Sequence, residues 1–369
     1  MRNPTATARR APFDLPLILI TTVLVLTGLF IIFDATPIAA FRDFNDKLYY
    51  FKNQLIWATL GTIGVIFLSL FDYHKLLKLS HLFFAAAIIL LIAVLVPGVS
   101  NKVYGARRWI SFHGFTFQPS EIAKLALILY GTTIITKFEN YKIRLTDAVM
   151  VIFVPAFIAT FLVLLEPDLG TALIFMAVTL ALYFVGGSPL KHFIIGVPII
   201  ISAIGAAILA APYRFSRIES FLDPTHDPQG ASYQIYQILV ALSTGGLFGL
   251  GLGASQSKYA FIPEVQGDAI FAIYVEEFGF IGALLIIALF VMLIFRGIKI
   301  AREAPDMAGR ILATGIIALI GVQSLFNLAS NVALVPLTGI PLPFISYGGS
   351  SLFVTMAGIG ILINIARQS

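Results

Sequence analysis

The sequence has no cysteine and few charged residues. Asp, Glu, Lys and Arg make up 12% of its 369 residues, whereas soluble domains usually carry about 25%. Without cysteine, disulfide bonds and thiol chemistry are excluded. The five histidines are scattered, so the sequence predicts neither a zinc site nor a Ser–His–Asp triad. Hydrophobic residues fill the chain instead, at 59%.

Apolar runs of about 20 residues recur along the chain, which is the length that crosses a bilayer. They predict an all-α polytopic membrane protein with ten transmembrane helices, forming a single domain over residues 1–369. Residues 1–14 are interpreted as an N-terminal tail, because no cleavage pattern follows the first apolar run. The ten predicted spans are residues 15–33, 54–71, 81–97, 119–136, 148–165, 170–187, 193–211, 270–295, 311–333 and 350–366.

Basic residues predict the orientation of these spans. Fourteen Lys and Arg residues lie in one set of connections and nine in the other, so both termini are predicted to be cytoplasmic. No basic run is dense enough to predict nucleic-acid binding. The richer set contains Arg2, Arg9, Arg10, Lys75, Lys78, Lys137, Lys142, Arg144, Lys191, Arg296, Lys299, Arg302, Arg310 and Arg367. The poorer, extracytoplasmic set contains Arg42, Lys47, Lys52, Lys102, Arg107, Arg108, Arg214, Arg217 and Lys258.

The largest connection joins spans 7 and 8, covers residues 212–269 and is predicted to be extracytoplasmic. Long loops in compact proteins are usually functional. Its amphipathic segment at residues 232–246 either lies in the membrane interface or enters the membrane as a re-entrant helix. The glycine-rich run that follows permits close approach of backbone to backbone or ligand.

Four acids lie within fourteen residues at the end of this connection. Asp268 precedes span 8, and partly apolar surroundings would raise its pKa toward a range useful for proton abstraction. The alternative is that Asp268 caps the helix. Glu276 and Glu277 lie two turns deeper and are expected either to hold helices together or to pair with a buried base such as Lys124. Glu264 is expected to shape the loop.

The segment QPSEIAK places Glu121 and Lys124 three residues apart at the start of span 4. This spacing puts both side chains on one helix face, where they can neutralise each other. The pair is either a structural ion pair or a cavity-lining pair that positions a catalytic group, and both descriptions can hold.

Two arginine pairs lie on the predicted outer side, against the usual distribution of positive charge. Guanidinium groups suit phosphate geometry, although anchoring to lipid headgroups is the alternative. Two separated pairs favour an anionic ligand such as a pyrophosphate. The predicted pyrophosphate-binding residues are Arg107, Arg108, Arg214, Arg217 and Lys258.

Two further connections are candidates for contact with a ligand. In EPDLGT, Asp168 either caps the sixth span or contacts a metal or substrate. The proline-rich segment at residues 336–351 predicts a rigid loop without regular structure at a cavity rim. Ser346 and Ser350 in this segment either donate hydrogen bonds to a ligand or serve packing.

Taken together, these segments resemble the successive signatures of the SEDS family (shape, elongation, division and sporulation). The resemblance covers about residues 13–367. Within the family, the GLGLGAS run and the ending PLPFISYGGSS favour a division or sporulation member over an elongation member. The matching segments are GARRW, QPSEIAKL, EPDLGT, STGGLFGLGLGASQSK, PEVQGDAIFAIYVEEFG and PLTGIPLPFISYGGSS.

The resemblance implies a ten-span peptidoglycan glycosyltransferase that polymerises lipid II at the outer face of the bacterial cytoplasmic membrane. The family's essential acid falls on Asp268, and its Glu–Lys pair falls on Glu121 and Lys124. Family members usually carry His and Ser or Thr before the acid, where this chain has Gln266 and Gly267. The resemblance also implies a class B penicillin-binding protein and divisome regulators as partners. It implies a divalent cation, Mg or Mn, without placed ligands, and no organic cofactor.

Other functions remain open from the residues. Ten spans with intramembrane charges are also typical of carriers, which here would mean a lipid II flippase. A carrier needs charges near the midplane, whereas Asp268 and the arginine pairs are predicted to lie outside. A scaffold for cell-division partners and an elongation-type polymerase are the remaining alternatives.

Overall fold

The computed structural model describes residues 13–100, 106–112, 115–138, 145–225, 227, 229–259, 262–263 and 266–369. These residues form fifteen α-helices and one short antiparallel hairpin. The helices are α1 Leu15–Ala35, α2 Pro37–Phe44, α3 Tyr49–Leu70, α4 Tyr73–Lys78, α5 Ser80–Leu95, α6 Pro119–Thr136, α7 Leu145–Ala148, α8 Val154–Leu165, α9 Leu169–Val185, α10 Leu190–Leu209, α11 Pro212–Leu222, α12 Tyr233–Gly245, α13 Ile270–Glu303, α14 Met307–Asn331 and α15 Gly349–Gln368. The strands are β1 Ile110–Phe112 and β2 Phe115–Phe117.

A helix covers each of the ten predicted spans, starting within five residues of the predicted position. Span 5 is composite, because a π-helical turn at Val149–Phe153 joins α7 to α8. Seven helices of the described chain are long and apolar enough to cross a membrane, and two shorter ones, α5 and α9, are also apolar. The prediction of an all-α polytopic membrane protein is confirmed.

Helix α15 forms the centre of the bundle, with 83% of its apolar window buried inside the protein. It packs along α3, where small residues permit close contact: a Cβ at Gly360 would lie 3.0 Å from the Val65 backbone. Small residues allow tight helix packing in membranes, where apolar surface alone does not drive association. Helix α10 is the opposite case, at 11% buried, so most of its apolar surface is available to lipid.

The connections at one end of the bundle are longer and more irregular than those at the other end. The loop end comprises residues 212–269 and 332–348, and the tail end comprises residues 71–79 and 304–306. At the tail end, Asn364 of α15 donates to the Ser69 carbonyl at 3.0 Å and accepts from the Tyr73 N–H at 3.1 Å. The segment from 332 to 348 lacks regular structure, which confirms most of the loop predicted at residues 336–351, whereas residues 349–351 belong to α15.

The connection from 212 to 269 contains two helices, α11 and α12. Helix α12 begins near Asp268, which accepts a hydrogen bond from Gln234. It packs along α13 and ends with Gly245 against the backbone of Val275. Helix α12 thus runs alongside α13 from its first residues to Val275, and its position relative to the membrane stays a prediction.

Helix α13 is interrupted at Gly279, which has φ 69° and ψ −168°. The glycine-rich segment after α12 supplies hydrogen bonds at this interruption. Irregular backbone at membrane depth requires such partners, since lipid offers none. The bonds run from Leu250 N to Glu276 O at 3.0 Å, Gly251 N to Glu277 O at 3.1 Å, Phe280 N to Gly246 O at 2.9 Å and Ile281 N to Leu247 O at 3.2 Å.

The substitution Gly279→Ala is expected to destabilise the protein by about 3 kcal/mol. Gly279 has a positive φ, which is unfavourable for alanine, and a Cβ at this position would collide with the Gly249 backbone. The measurement is the apparent melting temperature in detergent. The control is Gly196→Ala in α10, where a Cβ meets nothing within 4 Å. Equal melting temperatures for the two variants would contradict this role of Gly279.

Candidate active site

Asp268 lies at the junction between the loop end and α13. Ala269 occupies the N-cap position of α13, so the alternative that Asp268 caps this helix is wrong. The Asp268 carboxylate accepts from Gln234 Nε2 at 3.3 Å. Burial raises the pKa of Asp268 above its ordinary value, against the opposing positive charge of Arg217. A half-buried carboxylate of this kind is suited to accept a proton.

A small pocket of about 80 Å³ lies between α11, α12 and the 332–348 loop. Arg217 of α11 and Gln234 of α12 line it, and both also act on the Asp268 carboxylate. Arg217 Nη1 donates to the Leu337 carbonyl at 2.9 Å, so the 332–348 loop forms part of the rim. The pocket therefore presents a guanidinium and a primary amide, and this amide donates a hydrogen bond to the Asp268 carboxylate.

The other predicted arginine ligands have backbone partners at the loop end. Arg108 Nε donates to the Glu166 carbonyl at 3.0 Å, and its Nη2 donates to the Pro167 carbonyl. Arg214 donates to the carbonyls of Ala207 at 2.7 Å and Leu164 at 3.0 Å. Arg107 Nη1 donates to the Leu95 carbonyl at 3.4 Å. Of the five predicted cationic ligands, the structure brings Arg217 next to Asp268.

Glu121 and Lys124 form the predicted ion pair within α6. Lys124 Nζ lies 2.7 Å from Glu121 Oε1, and both residues are 2% exposed. Lys124 also donates to Gln323 Oε1 at 2.9 Å, and Gln323 Nε2 donates to the Pro341 carbonyl at 3.0 Å. The pair is thereby connected through α14 to the loop that borders the pocket.

The predicted pairing of Glu276 or Glu277 with a buried base is confirmed for Glu277, but the base is Lys258 and not Lys124, which is neutralised within its own helix. Glu277 pairs with Lys258 at 2.9 Å, and Lys258 Nζ also lies 2.9 Å from Asp34. Lys258 was predicted to bind pyrophosphate; it is instead 7% exposed and neutralised by two carboxylates.

Glu276 makes a different set of bonds. Its carboxylate accepts from Ser255 Oγ at 2.6 Å and from the Gln256 N–H at 3.2 Å. The segment from Ser255 to Lys258 is therefore fixed to α13 by both glutamates. Glu264, predicted to shape the loop, lies outside the described residues.

The turn at residues 166–168 carries two acids in different environments. Asp168 accepts from the Thr171 N–H at 3.0 Å, which confirms the predicted cap of α9, and also from Gln118 at 3.3 Å. Glu166 was not selected from the sequence. It is fully buried, and burial together with the Asp168 charge raises its pKa to about 9, despite Arg108. Glu166 is therefore neutral at neutral pH.

Ser346 and Ser350 both have partners inside the protein. Ser346 Oγ accepts from the Leu342 N–H at 2.8 Å, and Ser350 Oγ accepts from the Gln118 N–H at 3.2 Å. These bonds support the packing alternative, while the hydroxyl hydrogens remain available to donate.

The described residues do not bring together three or more His, Cys, Asp or Glu side chains as a metal site. The side chains that act on the Asp268 carboxylate are an amide, which turns its NH2 group toward it, and a guanidinium, whose positive charge would repel a cation. These residues do not fit a resident divalent cation, and the predicted Mg or Mn stays a prediction without ligands.

Comparisons with known proteins agree on one family. The model of the FtsW/RodA/SpoVE family, described as cell cycle protein, matches residues 15–369. Stage V sporulation protein E of Bacillus subtilis is 40% identical over 98% of this chain and 99% of its own length. A probable peptidoglycan glycosyltransferase FtsW of Trichlorobacter lovleyi is 39% identical over 97% of this chain and 94% of its own.

Solved structures show the same relationship. The crystal structure of the rod shape determining protein RodA of Thermus thermophilus is similar with a TM-score of 0.70 and 27% identity, covering 96% of this chain and 97% of that one. A chain from a peptidoglycan synthase complex that coordinates polymerization and crosslinking is similar with a TM-score of 0.79 and 28% identity, covering 96% and 98%. The chain described here belongs to the FtsW/RodA/SpoVE family of cell cycle proteins, the SEDS family.

Proposed function

We propose that this protein is a peptidoglycan glycosyltransferase that polymerises lipid II into glycan strands. The observation that carries the proposal is the Asp268 carboxylate, half-buried beside Arg217 and Gln234 at the loop end. Relatives that carry the name peptidoglycan glycosyltransferase, at 35–39% identity over nearly the full chain, support it.

The proposed reaction joins two lipid II units with inversion at the donor sugar. The acceptor GlcNAc 4-hydroxyl attacks C1 of the donor MurNAc, and Asp268 takes the hydroxyl proton as general base. The O4–C1 bond forms while the bond from C1 to the pyrophosphate oxygen breaks, and undecaprenyl pyrophosphate leaves with the electron pair. Arg217 would stabilise the charge that develops on this leaving group.

We propose a topology of ten transmembrane spans in one domain, residues 1–369, with both termini cytoplasmic. Residues 1–14 then form a cytoplasmic tail, and the 212–269 connection, Asp268 included, faces outward. The bias of basic residues supports this orientation. The location is then the bacterial cytoplasmic membrane, with the active site on its outer surface, where the lipid II headgroup would be presented.

A role in cell division is proposed, with the division septum as its location. Similarity to FtsW proteins and to a sporulation protein supports this role, and a RodA-like role in elongation is the alternative. The proposed partners are a class B penicillin-binding protein transpeptidase and divisome regulators. The similarity to a chain of a peptidoglycan synthase complex supports the transpeptidase partner.

The test is polymerisation of fluorescent lipid II by the purified protein, with and without a class B penicillin-binding protein. Products are resolved by gel electrophoresis, and a ladder of glycan strands is expected. A parallel assay measures lipid II translocation in sealed vesicles. Translocation without polymer, with or without the penicillin-binding protein, would identify the protein as a flippase instead. Absence of both polymerisation and translocation would favour a scaffold.

Replacing Arg217 with alanine is expected to raise the KM for lipid II about tenfold to a hundredfold, the range set by a charge-assisted hydrogen bond. The measurement is the initial polymerisation rate against lipid II concentration. Arg217→Lys, which keeps the charge but loses the planar fork, should give an intermediate value. The matched control is Arg310→Ala in α14 at the tail end. If Arg217→Ala leaves both KM and rate unchanged, Arg217 does not bind the ligand.

A further inference from the structure

The backbone of Asp268 is held by two side chains from α14. Asn327 Nδ2 donates to the Asp268 carbonyl oxygen at 2.9 Å, and Asn331 Nδ2 donates to the same oxygen at 2.8 Å. Both asparagines are 0% exposed. One helical turn separates them, so they present their amides on the same face of α14. We call this arrangement the asparagine clamp.

The clamp also reaches the last loop of the loop end. Asn327 Nδ2 donates to the Ile340 carbonyl at 2.8 Å, and Asn331 Nδ2 donates back to the Asn327 carbonyl at 3.0 Å. Two residues before Asp268, the Gln266 carbonyl accepts from the Tyr347 N–H at 2.8 Å. The chain leading into α13 is therefore fixed on both sides of Gly267, by α14 and by the 332–348 loop.

One hydrogen-bond donor would be enough for the Asp268 carbonyl oxygen, yet two buried amide groups donate to it. Fixing a carbonyl oxygen fixes the Cα of the same residue, and the carboxylate is only one methylene group away. The carboxylate itself accepts a hydrogen bond from Gln234 of α12, and the positive charge of Arg217 of α11 acts on it. The clamp thus fixes the main chain from which the carboxylate extends, and residues of α11 and α12 form the surroundings of the carboxylate.

We infer that Asn327 and Asn331 are positioning residues, which hold the Asp268 main chain so that its carboxylate reaches the acceptor hydroxyl. This inference rests on the proposed role of Asp268 as general base. A displacement of about 1 Å at a reacting group can lower a rate about a hundredfold. The clamp has no direct contact with the carboxylate, so its loss should act on turnover rather than on binding of lipid II.

The experiment compares the wild type, Asn327→Leu/Asn331→Leu and Asp268→Asn in the lipid II polymerisation assay. The double variant is expected to lower kcat about a hundredfold and to leave the KM for lipid II within about twofold. Asn364→Leu at the tail end is the matched control, because Asn364 is also buried and bonded to main-chain groups of two segments. It is expected to lower the melting temperature without lowering kcat in the folded fraction.

A second readout reports the position of the loop independently of activity. Since the chain has no cysteine, Pro263→Cys creates a unique thiol for a spin label on an exposed residue near Asp268. The double variant is expected to increase the label's mobility, and Asn364→Leu is not. If the double variant does not fold, Asn331→Asp replaces it, since aspartate keeps the shape and removes the donor; the expected loss in kcat is then about tenfold.

The outcomes separate the two proposals. An inactive Asp268→Asn with a fully active, folded double variant overturns the clamp and leaves the proposed function intact. Full activity of Asp268→Asn overturns the role of Asp268 and the clamp with it. A raised KM with unchanged kcat in the double variant also overturns the clamp, because the asparagines would then act on binding.

Discussion

Replacing Asp268 with asparagine is expected to reduce glycan polymerisation about a thousandfold, within the range of a lost general base. Asparagine keeps the size of the side chain and can still accept from Gln234, but it cannot take a proton. The measurement is the initial rate of polymerisation of fluorescent lipid II. Asp268→Ala should be equally inactive, because both variants lack the base.

The pH dependence follows from the surroundings of Asp268. A general base works in its ionised form, so activity falls as the pH is lowered through its pKa. Burial raises this pKa, and the acid limb of the rate profile should therefore lie at higher pH than for a solvated aspartate. Arg217 opposes the rise, so Arg217→Ala should move the limb to still higher pH. An acid limb that does not respond to Arg217 would contradict Asp268 as the titrating group.

Asp268→Asn is also expected to raise the apparent melting temperature slightly. A carboxyl group whose pKa is raised on folding loses stabilisation as the pH rises, because ionisation is less favourable in the folded state. At neutral pH the wild type holds the ionised group, whereas the amide has no charge to desolvate. A well-folded, more stable and inactive variant would separate catalysis from structure. Full polymer yield from this variant would exclude Asp268 as the base.

Replacing Lys124 with methionine is expected to destabilise the protein by about 3–5 kcal/mol, the usual effect of removing one partner of a buried ion pair. Glu121 would be left at 2% exposure without its cation. The double variant Glu121→Gln/Lys124→Met removes both charges and should recover most of the loss. The measurement is the apparent melting temperature in detergent for the single and double variants.

An exposed pair provides the control for Lys124. Lys299 and Glu303 of α13 lie 3.8 Å apart with more than half of each side chain exposed. Lys299→Met is expected to change stability by less than about 1 kcal/mol. If the double variant at Glu121 and Lys124 is as unstable as the single one, the loss comes from packing or from Gln323 rather than from an unpaired charge.

Local features of this chain could be predicted from sequence. The long apolar helices follow from runs of apolar residues, and Asp168 caps α9 by a bond to a residue only three positions away. The ion pair of Glu121 with Lys124 also lies within one turn. In each case the backbone geometry of a helix determines the contact, so the spacing alone predicts it.

Long-range partners could not be predicted in the same way. Lys258 forms ion pairs with Glu277 and with Asp34, which is distant in sequence. Its place in the loop, like that of the other loop cations, had instead predicted that it binds pyrophosphate. Asn327 and Asn331 were not selected at all, because an asparagine in an apolar helix carries no signal for what it binds. Such partners depend on how the helices pack, which spacing does not encode.

The interrupted helix α13 has a consequence for biosynthesis. The N–H groups of residues 250 and 251 donate hydrogen bonds to α13 carbonyls at the interruption. These residues precede α13 in the chain, so they are already synthesised when α13 emerges from the ribosome. The asparagine clamp follows Asp268 by 59 and 63 residues and becomes available only after α14 has been made. A nascent chain can therefore complete the interrupted helix early, while the main chain of Asp268, the proposed general base, is held only after α14 has been inserted.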